Sequence, residues 1–202
     1  GVLAALPAVG RVGVVDNGST DRTAEVAASL GAQVVNERKR GYGSAILAGM
    51  SALEEEPPDV LVILDADHAD RPELLSRLAA PILAGDADLV LSDRSRTAAP
   101  GALTVPQRFG NRFATTLMWG VTGHRYADMG PFRAIRWTSL LALHMEDPTW
   151  GWNVEMQLKA VRRGLRIREI RVPYGARRAG QSKISGDLRG AARAGARSTS
   201  LC

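Results

Sequence analysis

A run of five apolar residues, Val60-Leu61-Val62-Ile63-Leu64, stops abruptly at Asp65-Ala66-Asp67. A stretch so uniformly apolar, and so rich in Val and Ile, has no polar side to turn towards water. It reads as a strand covered on both faces, the situation of a parallel sheet flanked by helices. Ligands of such sheets sit at the carboxyl ends of the strands. Two carboxylates one residue apart at that point suit a hard divalent cation, which takes one or two carboxylates and completes its shell with substrate phosphates. An isolated Asp-x-Asp is also a common turn cap, and the flanking motifs have to separate the two readings.

A chain of 202 residues with 45% hydrophobic and 23% charged residues reads as one domain, 1–202, with a sizeable core. Cys202 is its single cysteine, which excludes an internal disulfide framework and a cysteine-rich zinc site. No apolar run approaches the ~20 residues needed to cross a bilayer, and no signal peptide is visible. The net charge of +5 is uneven: residues 162–202 hold eleven Lys/Arg against two Asp/Glu, whereas residues 1–161 hold fifteen against nineteen. A basic segment from about residue 175 suits anionic lipid head groups, phosphates or nucleic acid, or is simply a solvated arginine-rich surface.

Residues 1–9 read as the end of a helix and its exit loop, with no strand before them. The patterning then predicts a strand over 11–15 ending at Asp16, a helix over 23–30 closed by Gly31, and a strand over 33–35. A basic loop with two glycines leads to a helix over 44–56, broken by Pro57-Pro58. After the Asp-x-Asp, Pro72 opens a helix to Leu83, and a strand over 88–92 ends at Asp93-Arg94. This alternation predicts an α/β fold, a mostly parallel sheet with helices on both faces. Further on come a helix over 106–119 with Phe109, Phe113, Leu117 and Met118 on one face, and a strand before Arg136. Helices over 137–144 and 153–163, a half-buried strand over 166–174 and a basic helix from Asp187 complete the chain.

Asp16 stands at a second strand end, where a carboxylate can accept hydrogen bonds from a base or ribose. Equally, Asp16 and Ser19 can do no more than cap the turn into the next helix.

In order along the chain, VVDNGSTDRT, RGYGSAILAG, VILDADHADRPELL, LVLSDRSR, ADMGPFRAIR, GWNVEMQLKAVRRG and RVPYGARRAGQSKISG resemble a family 2 glycosyltransferase. The similarity is narrower still to its dolichyl-phosphate mannose synthase-like, polyprenyl-phosphate branch. It covers about residues 10–190; each motif is loose alone, and seven in one order are specific. The resemblance implies a GT-A fold, a UDP- or GDP-sugar donor, Mg²⁺ or Mn²⁺, inversion at the anomeric carbon, and a polyprenyl-phosphate acceptor. Asp16, with Ser19 beside it, matches the nucleotide-contacting aspartate. Asp65 and Asp67 match the metal-binding pair, with Asp67 the direct ligand. Arg40 is placed to neutralise the donor diphosphate, unless it is an ordinary solvated arginine. Arg94 and Arg108 match arginines that face the acceptor phosphate, a task suited to a rigid guanidinium fork; pairing of Arg94 with Asp93 or Asp70 is the plainer alternative. Ser182 and Lys183 match a loop that closes over the phosphates. Asp128 matches a carboxylate that serves as general base or positions the acceptor site with Arg133. Glu155 reads as structural, held by a nearby arginine, and Trp150 and Trp152 as core or as an apolar lip for a prenyl chain.

A sugar hydroxyl needs a base to take its proton during attack, whereas a phosphate monoester, with a second pKa of about 6, arrives largely ionised. The concentration of Arg94, Arg108, Arg177, Arg178 and Lys183 favours the phosphate. The chain departs from the pattern in three places. The family's first strand is absent before Gly1, so the domain reads as N-terminally incomplete. Ala69 stands where the branch often carries a glutamine, leaving His68, Asp70 or water to compensate. The chain also stops soon after its basic segment, where relatives often continue into an amphipathic or membrane segment. The alternatives are a family 2 enzyme acting on a hydroxyl and a catalytically silent nucleotide-sugar-binding module. A nucleic-acid partner is not expected, because no recognised motif accompanies the basic end. The expected location is the cytoplasmic face of a membrane, contacted peripherally through the basic C-terminal segment.

Overall fold

A computed structural model describes residues 1–176 of the chain. The elements are β1 (Gly13–Asp16), α1 (Thr23–Ser29), β2 (Gln33–Asn36), α2 (Tyr42–Ser51), β3 (Val60–Ile63), α3 (Leu75–Leu83), β4 (Leu89–Asp93), α4 (Val105–Thr122), β5 (Arg133–Arg136), α5 (Trp137–Ala142), α6 (Trp152–Arg162) and β6 (Ile167–Arg171). Short 3₁₀ turns at Leu3–Ala5 and Pro72–Leu74 complete them. The basic helix expected from Asp187 lies outside the described residues.

The strands form two sheets. β1 and β2 pair in parallel, and the other four lie in the order β3-β5-β4-β6. Here β4 and β6 are parallel, while β5 runs antiparallel to both β3 and β4, so three of the four strands share one direction. The reversed strand positions the site. Its first residue, Arg133, registers with Ile63 of β3 and Leu91 of β4. The segment leading into β5 is thereby delivered to the carboxyl ends of those two strands. Among the described residues, β1 pairs only with β2 and β3 only with β5, and no hydrogen-bonded ladder joins the two sheets.

Alternation along the strands divides the core between two faces. Leu61, Ile63, Leu89, Leu91 and Ile135 pack with α2, α5 and α6 through Ile46, Leu47, Leu140, Trp152 and Met156. Val60, Val62, Val90 and Ala134 pack with α3 through Leu78 and Ile82, and with Phe132 and Val172. Helices therefore cover both faces, as the apolar runs require. β4 is buried throughout, whereas β3 is half-buried because one of its edges is open.

α4 forms where its signals place it. Thr104 and Gln107 make a reciprocal capping box, and Gly123 closes the helix in a left-handed conformation at φ 72°. Its facing corrects the expectation from the sequence: of Phe109, Phe113, Leu117 and Met118, only Met118 is buried.

The start of α2 depends on its glycines. Gly43 donates its N–H to Thr149 O at 3.1 Å, and Ser44 donates to Pro148 O at 2.9 Å. A β-carbon on Gly43 would lie 1.9 Å from Asp147 O, and one on Gly41 2.2 Å from Pro148 O. The RGYG stretch thus docks α2 backbone-to-backbone on the 147–149 loop. Gly43→Ala is expected to destabilise the protein by roughly 1–3 kcal/mol through overpacking, read as a lower urea midpoint; an unchanged midpoint would contradict this docking.

Candidate functional site

The candidate residues gather at the carboxyl ends of β1, β3 and β4. At the end of β1, Asp16 Oδ1 accepts the N–H of Ser19 at 3.0 Å, so the turn-capping contact is present. The adjacent Asn17 holds two loops together. Its side-chain amide donates to Glu37 O at 2.9 Å and Lys39 O at 2.8 Å, and its oxygen accepts the N–H of Gly41 at 2.9 Å. This lays the β2–α2 loop across the turn. The guanidinium of Arg40 comes within 3.7 Å of the point where a β-carbon on Gly18 would sit, and Gly18 has a positive φ of 76° that favours glycine. Asp16, Ser19 and Arg40 therefore occupy one corner, with Arg40 exposed. Sequence reasoning missed Asn17, although it lies inside the VVDNGSTD motif.

Beyond β3, Asp65 and Asp67 lie half-buried on one turn. Asp67 Oδ1 accepts the N–H of Ala69 at 2.9 Å, and His68 between them takes a left-handed φ of 63°. Asp70 follows, 2% exposed, with neither carboxylate oxygen hydrogen-bonded among the described residues. Burial pushes its pKa up to about 7; Arg94 opposes the rise, and the charges of Asp65, Asp67 and Asp128 add to it.

Arg94, just after β4, and Asp128, delivered by the reversed strand, form a two-pronged pair. Arg94 Nε donates to Oδ2 at 2.7 Å and Nη2 to Oδ1 at 3.0 Å, while the backbone N–H of Arg94 also reaches Oδ2 at 2.8 Å. A fourth donor, the N–H of Met129, meets Oδ1 at 2.7 Å. Asp128 rather than Asp93 or Asp70 is the partner, because the antiparallel β5 brings it there. Gly130 makes room: a β-carbon would lie 2.9 Å from Arg94 Nε. The outer face of the guanidinium stacks over the Tyr174 ring at 4.7 Å. With four donors on two oxygens, Asp128 has its accepting capacity filled.

Beneath this pair Arg133 is fully buried, donating from Nε to Pro131 O at 3.2 Å, from Nη2 to Gly130 O, and from Nη1 to Met156 Sδ at 3.5 Å. Burial lowers its pKa, with Tyr42, Asp128 and Asp65 offsetting that effect and Arg94 adding to it. The Tyr42 ring stacks on Trp150 and meets Trp152 edge-on. Trp152 is buried, so it belongs to the core, and Trp150 is half-buried. Glu155 is structural: it accepts the N–H groups of Glu146 and Asp147 and pairs with Lys159 rather than an arginine. Arg108 is exposed in the first turn of α4, which reaches the Asp128 segment through Asn111 Oδ1, 2.8 Å from Met129 N. Ser182 and Lys183 lie outside the described residues.

Among the described residues no three acidic, His or Cys side chains are arranged to hold an ion. The donor set at Asp65 and Asp67 fits a Mg²⁺ or Mn²⁺ that completes its shell with ligand oxygens and water.

Residues 8–142 match the family described as glycosyl transferase family 2. An uncharacterized glycosyltransferase of Mycobacterium tuberculosis is 42% identical over 193 residues, which is 94% of this chain and 84% of the relative. A dolichyl-phosphate hexose transferase of Haloferax volcanii is 35% identical over 182 residues, 87% of this chain and 75% of the relative. Glucosyl-3-phosphoglycerate synthase from M. tuberculosis, solved with Mn²⁺, UDP-glucose and phosphoglyceric acid, superposes with a TM-score of 0.70 at 21% identity. That alignment covers 93% of this chain and 67% of the other. The expected GT-A fold is thereby shown.

Because burial raises Asp70 from the ordinary carboxylate range of about 4 to about 7, the folded protein keeps a proton there that the unfolded chain has already released. Stability is therefore expected to fall as pH rises from about 4 to about 7 and to lose this slope above that. Asp70→Asn should flatten the dependence and raise the urea midpoint relative to the parent at pH 8. A parent and variant with parallel pH profiles would contradict it.

Proposed function

The chain belongs to glycosyl transferase family 2, and we propose that it transfers a hexose from a UDP- or GDP-sugar to a polyprenyl phosphate with inversion at the anomeric carbon. The observation that carries this reading is the convergence of Asp16, Arg40, Asp65, Asp67 and the Arg94–Asp128 pair on the carboxyl ends of three strands. The name of the Haloferax relative supports the acceptor class, and the Mn²⁺ and UDP-glucose in the solved neighbour support the donor and the metal.

In this mechanism the Asp16 corner receives the nucleoside, and Arg40 neutralises part of the diphosphate. Asp65 and Asp67 would hold Mg²⁺ or Mn²⁺, which when bound would supply positive charge against the charge developing on the leaving diphosphate. Arg94 is oriented by Asp128 and by the Tyr174 ring, so its fork is not free to chelate the acceptor. It offers its remaining Nη1 and its charge, and Arg108 and Lys183 supply further cations. An ionised phosphate attacks without a base, which agrees with an Asp128 whose lone pairs are already occupied. Among the described residues no helix is long and apolar enough to cross a membrane, and peripheral contact with a bilayer at its cytoplasmic face fits a lipid acceptor.

Calorimetric titration of UDP and GDP, each with and without Mn²⁺, tests the donor side. One nucleotide should bind in a metal-dependent way, and Asp67→Ala should abolish that dependence; metal-independent binding by both proteins would sink the assignment. Transfer to a polyprenyl phosphate then tests the acceptor side, and nucleotide binding without transfer would point to a silent binding module. Asp128→Asn is expected to lower kcat/KM roughly hundredfold, mainly through a raised acceptor KM. Loss of the acidic limb of the kcat profile in that variant would instead identify a base acting on a hydroxyl.

A further inference from the structure

α4 is turned inside out. The side facing the body of the protein carries Gln107, Asn111, Thr115, Met118 and Thr122, of which only Met118 is large and apolar. The side facing away carries Val105, Phe109, Phe113, Leu117 and Val121, one every four residues, and Trp119 is exposed on the flank of the helix that carries Arg112. Phe109 is 73% exposed and Phe113 56%. Of the eleven large hydrophobic side chains exposed among the described residues, these are six. A contiguous apolar stripe of this kind marks a surface built to be covered.

The charges around it define what covers it. Residues 94–127 contain five arginines, Arg94, Arg96, Arg108, Arg112 and Arg125, and no Asp or Glu. Arg108 and Arg112 flank Phe109 and Phe113 along the exposed side of the helix, and the Arg125 guanidinium lies 3.9 Å above the Trp119 ring. A second copy docked on this face would set these arginines against their own equivalents with no acidic side chain from the same segment to balance them. A bilayer surface has both required properties: acyl chains for the Phe, Leu and Trp side chains, and anionic head groups for the guanidiniums.

We propose that α4 lies in the plane of an anionic membrane surface, its Phe109–Phe113–Leu117 stripe inserted among the acyl chains and its arginines at the head groups. This deepens the proposed polyprenyl-phosphate reading and rests on it for its purpose. The Asn111–Met129 hydrogen bond fastens the embedded helix to the segment that holds Arg94, so the acceptor side of the site faces the leaflet that carries the lipid. The basic C-terminal segment is then not needed as the sole membrane contact.

Co-sedimentation of the full chain with phosphatidylglycerol–phosphatidylcholine vesicles, and with phosphatidylcholine alone, tests the proposal. The parent should bind the anionic vesicles more tightly, and Phe109→Ser/Phe113→Ser should bind them about tenfold more weakly or worse. Arg112→Glu should weaken the preference for anionic lipid. Retained nucleotide binding in each variant shows that it is folded. Vesicle binding equal in parent and double variant overturns the proposal, as does a lipid-free self-association of the parent that the double variant dissolves. Transfer to a short, water-soluble prenyl phosphate should survive the double substitution while transfer to a long-chain acceptor in vesicles falls. Vesicle binding that the variants lose, without transfer to either acceptor, upholds the α4 surface and removes the acceptor reading alone.

Discussion

The buried pair of Arg94 and Asp128 is the interaction on which the rest of the site depends. Taking a guanidinium and a carboxylate out of water is costly, and their attraction offsets this only where the remaining donors and acceptors are also satisfied. Here the carboxylate's acceptors are satisfied: Asp128 accepts from the Arg94 side chain, the Arg94 backbone and Met129. Its own backbone carbonyl accepts from Gln157 of α6, and its N–H reaches Glu169 of β6. The pair therefore ties the end of β4, the approach to β5, α6 and β6 into one rigid corner. Its charges also reach Asp70 and Arg133, so their protonation is set by it in part.

Much of this was legible in the sequence. Strand ends near Asp16, Asp65 and Asp93–Arg94 follow from apolar runs that stop at charged residues, whereas the capping box of Thr104 with Gln107 and the Gly123 stop extend α4 beyond the 106–119 read from its pattern. The order of the motifs was enough to name the family. The direction of β5 was not legible, because a four-residue strand such as Arg133–Arg136 has the same alternation either way round. The partner of Arg94 was missed for the same reason, since only an antiparallel β5 brings Asp128 to it. The facing of α4 was hidden because periodicity reports that a helix has an apolar side and not what that side meets. Asp70 reads in the sequence as a substitute metal ligand or a partner of Arg94, and nothing local shows that both its oxygens lie buried and, among the described residues, without hydrogen bonds.

Glycine does much of the positioning at the site, in two distinct ways. At Gly18 the need is conformational: the backbone adopts a positive φ beneath the Arg40 guanidinium. At Gly43 and Gly130 the need is space: one admits the carbonyl of Asp147, the other admits Arg94 itself. At Gly43 and Gly130 two segments distant in sequence approach more closely than a methyl group would allow, and at Gly130 a charged group is placed as a result.

The division of the strands into two sheets has a mechanical meaning. Asp16 belongs to the two-stranded sheet, whereas Asp65, Asp67 and Arg94 follow strands of the four-stranded one. Strands within a sheet are locked in register by their ladder, so displacing one breaks several hydrogen bonds together. Among the described residues that lock is missing across the seam between the sheets. α2 serves as the cross-brace, resting on β1 where Gly49 meets Val15, on the opposite sheet through Ile46 and Leu47, and on the 147–149 loop at its start. The spacing between the Asp16 corner and the carboxylate turn is thus a property of one helix and its packing: a gauge set by side-chain volume.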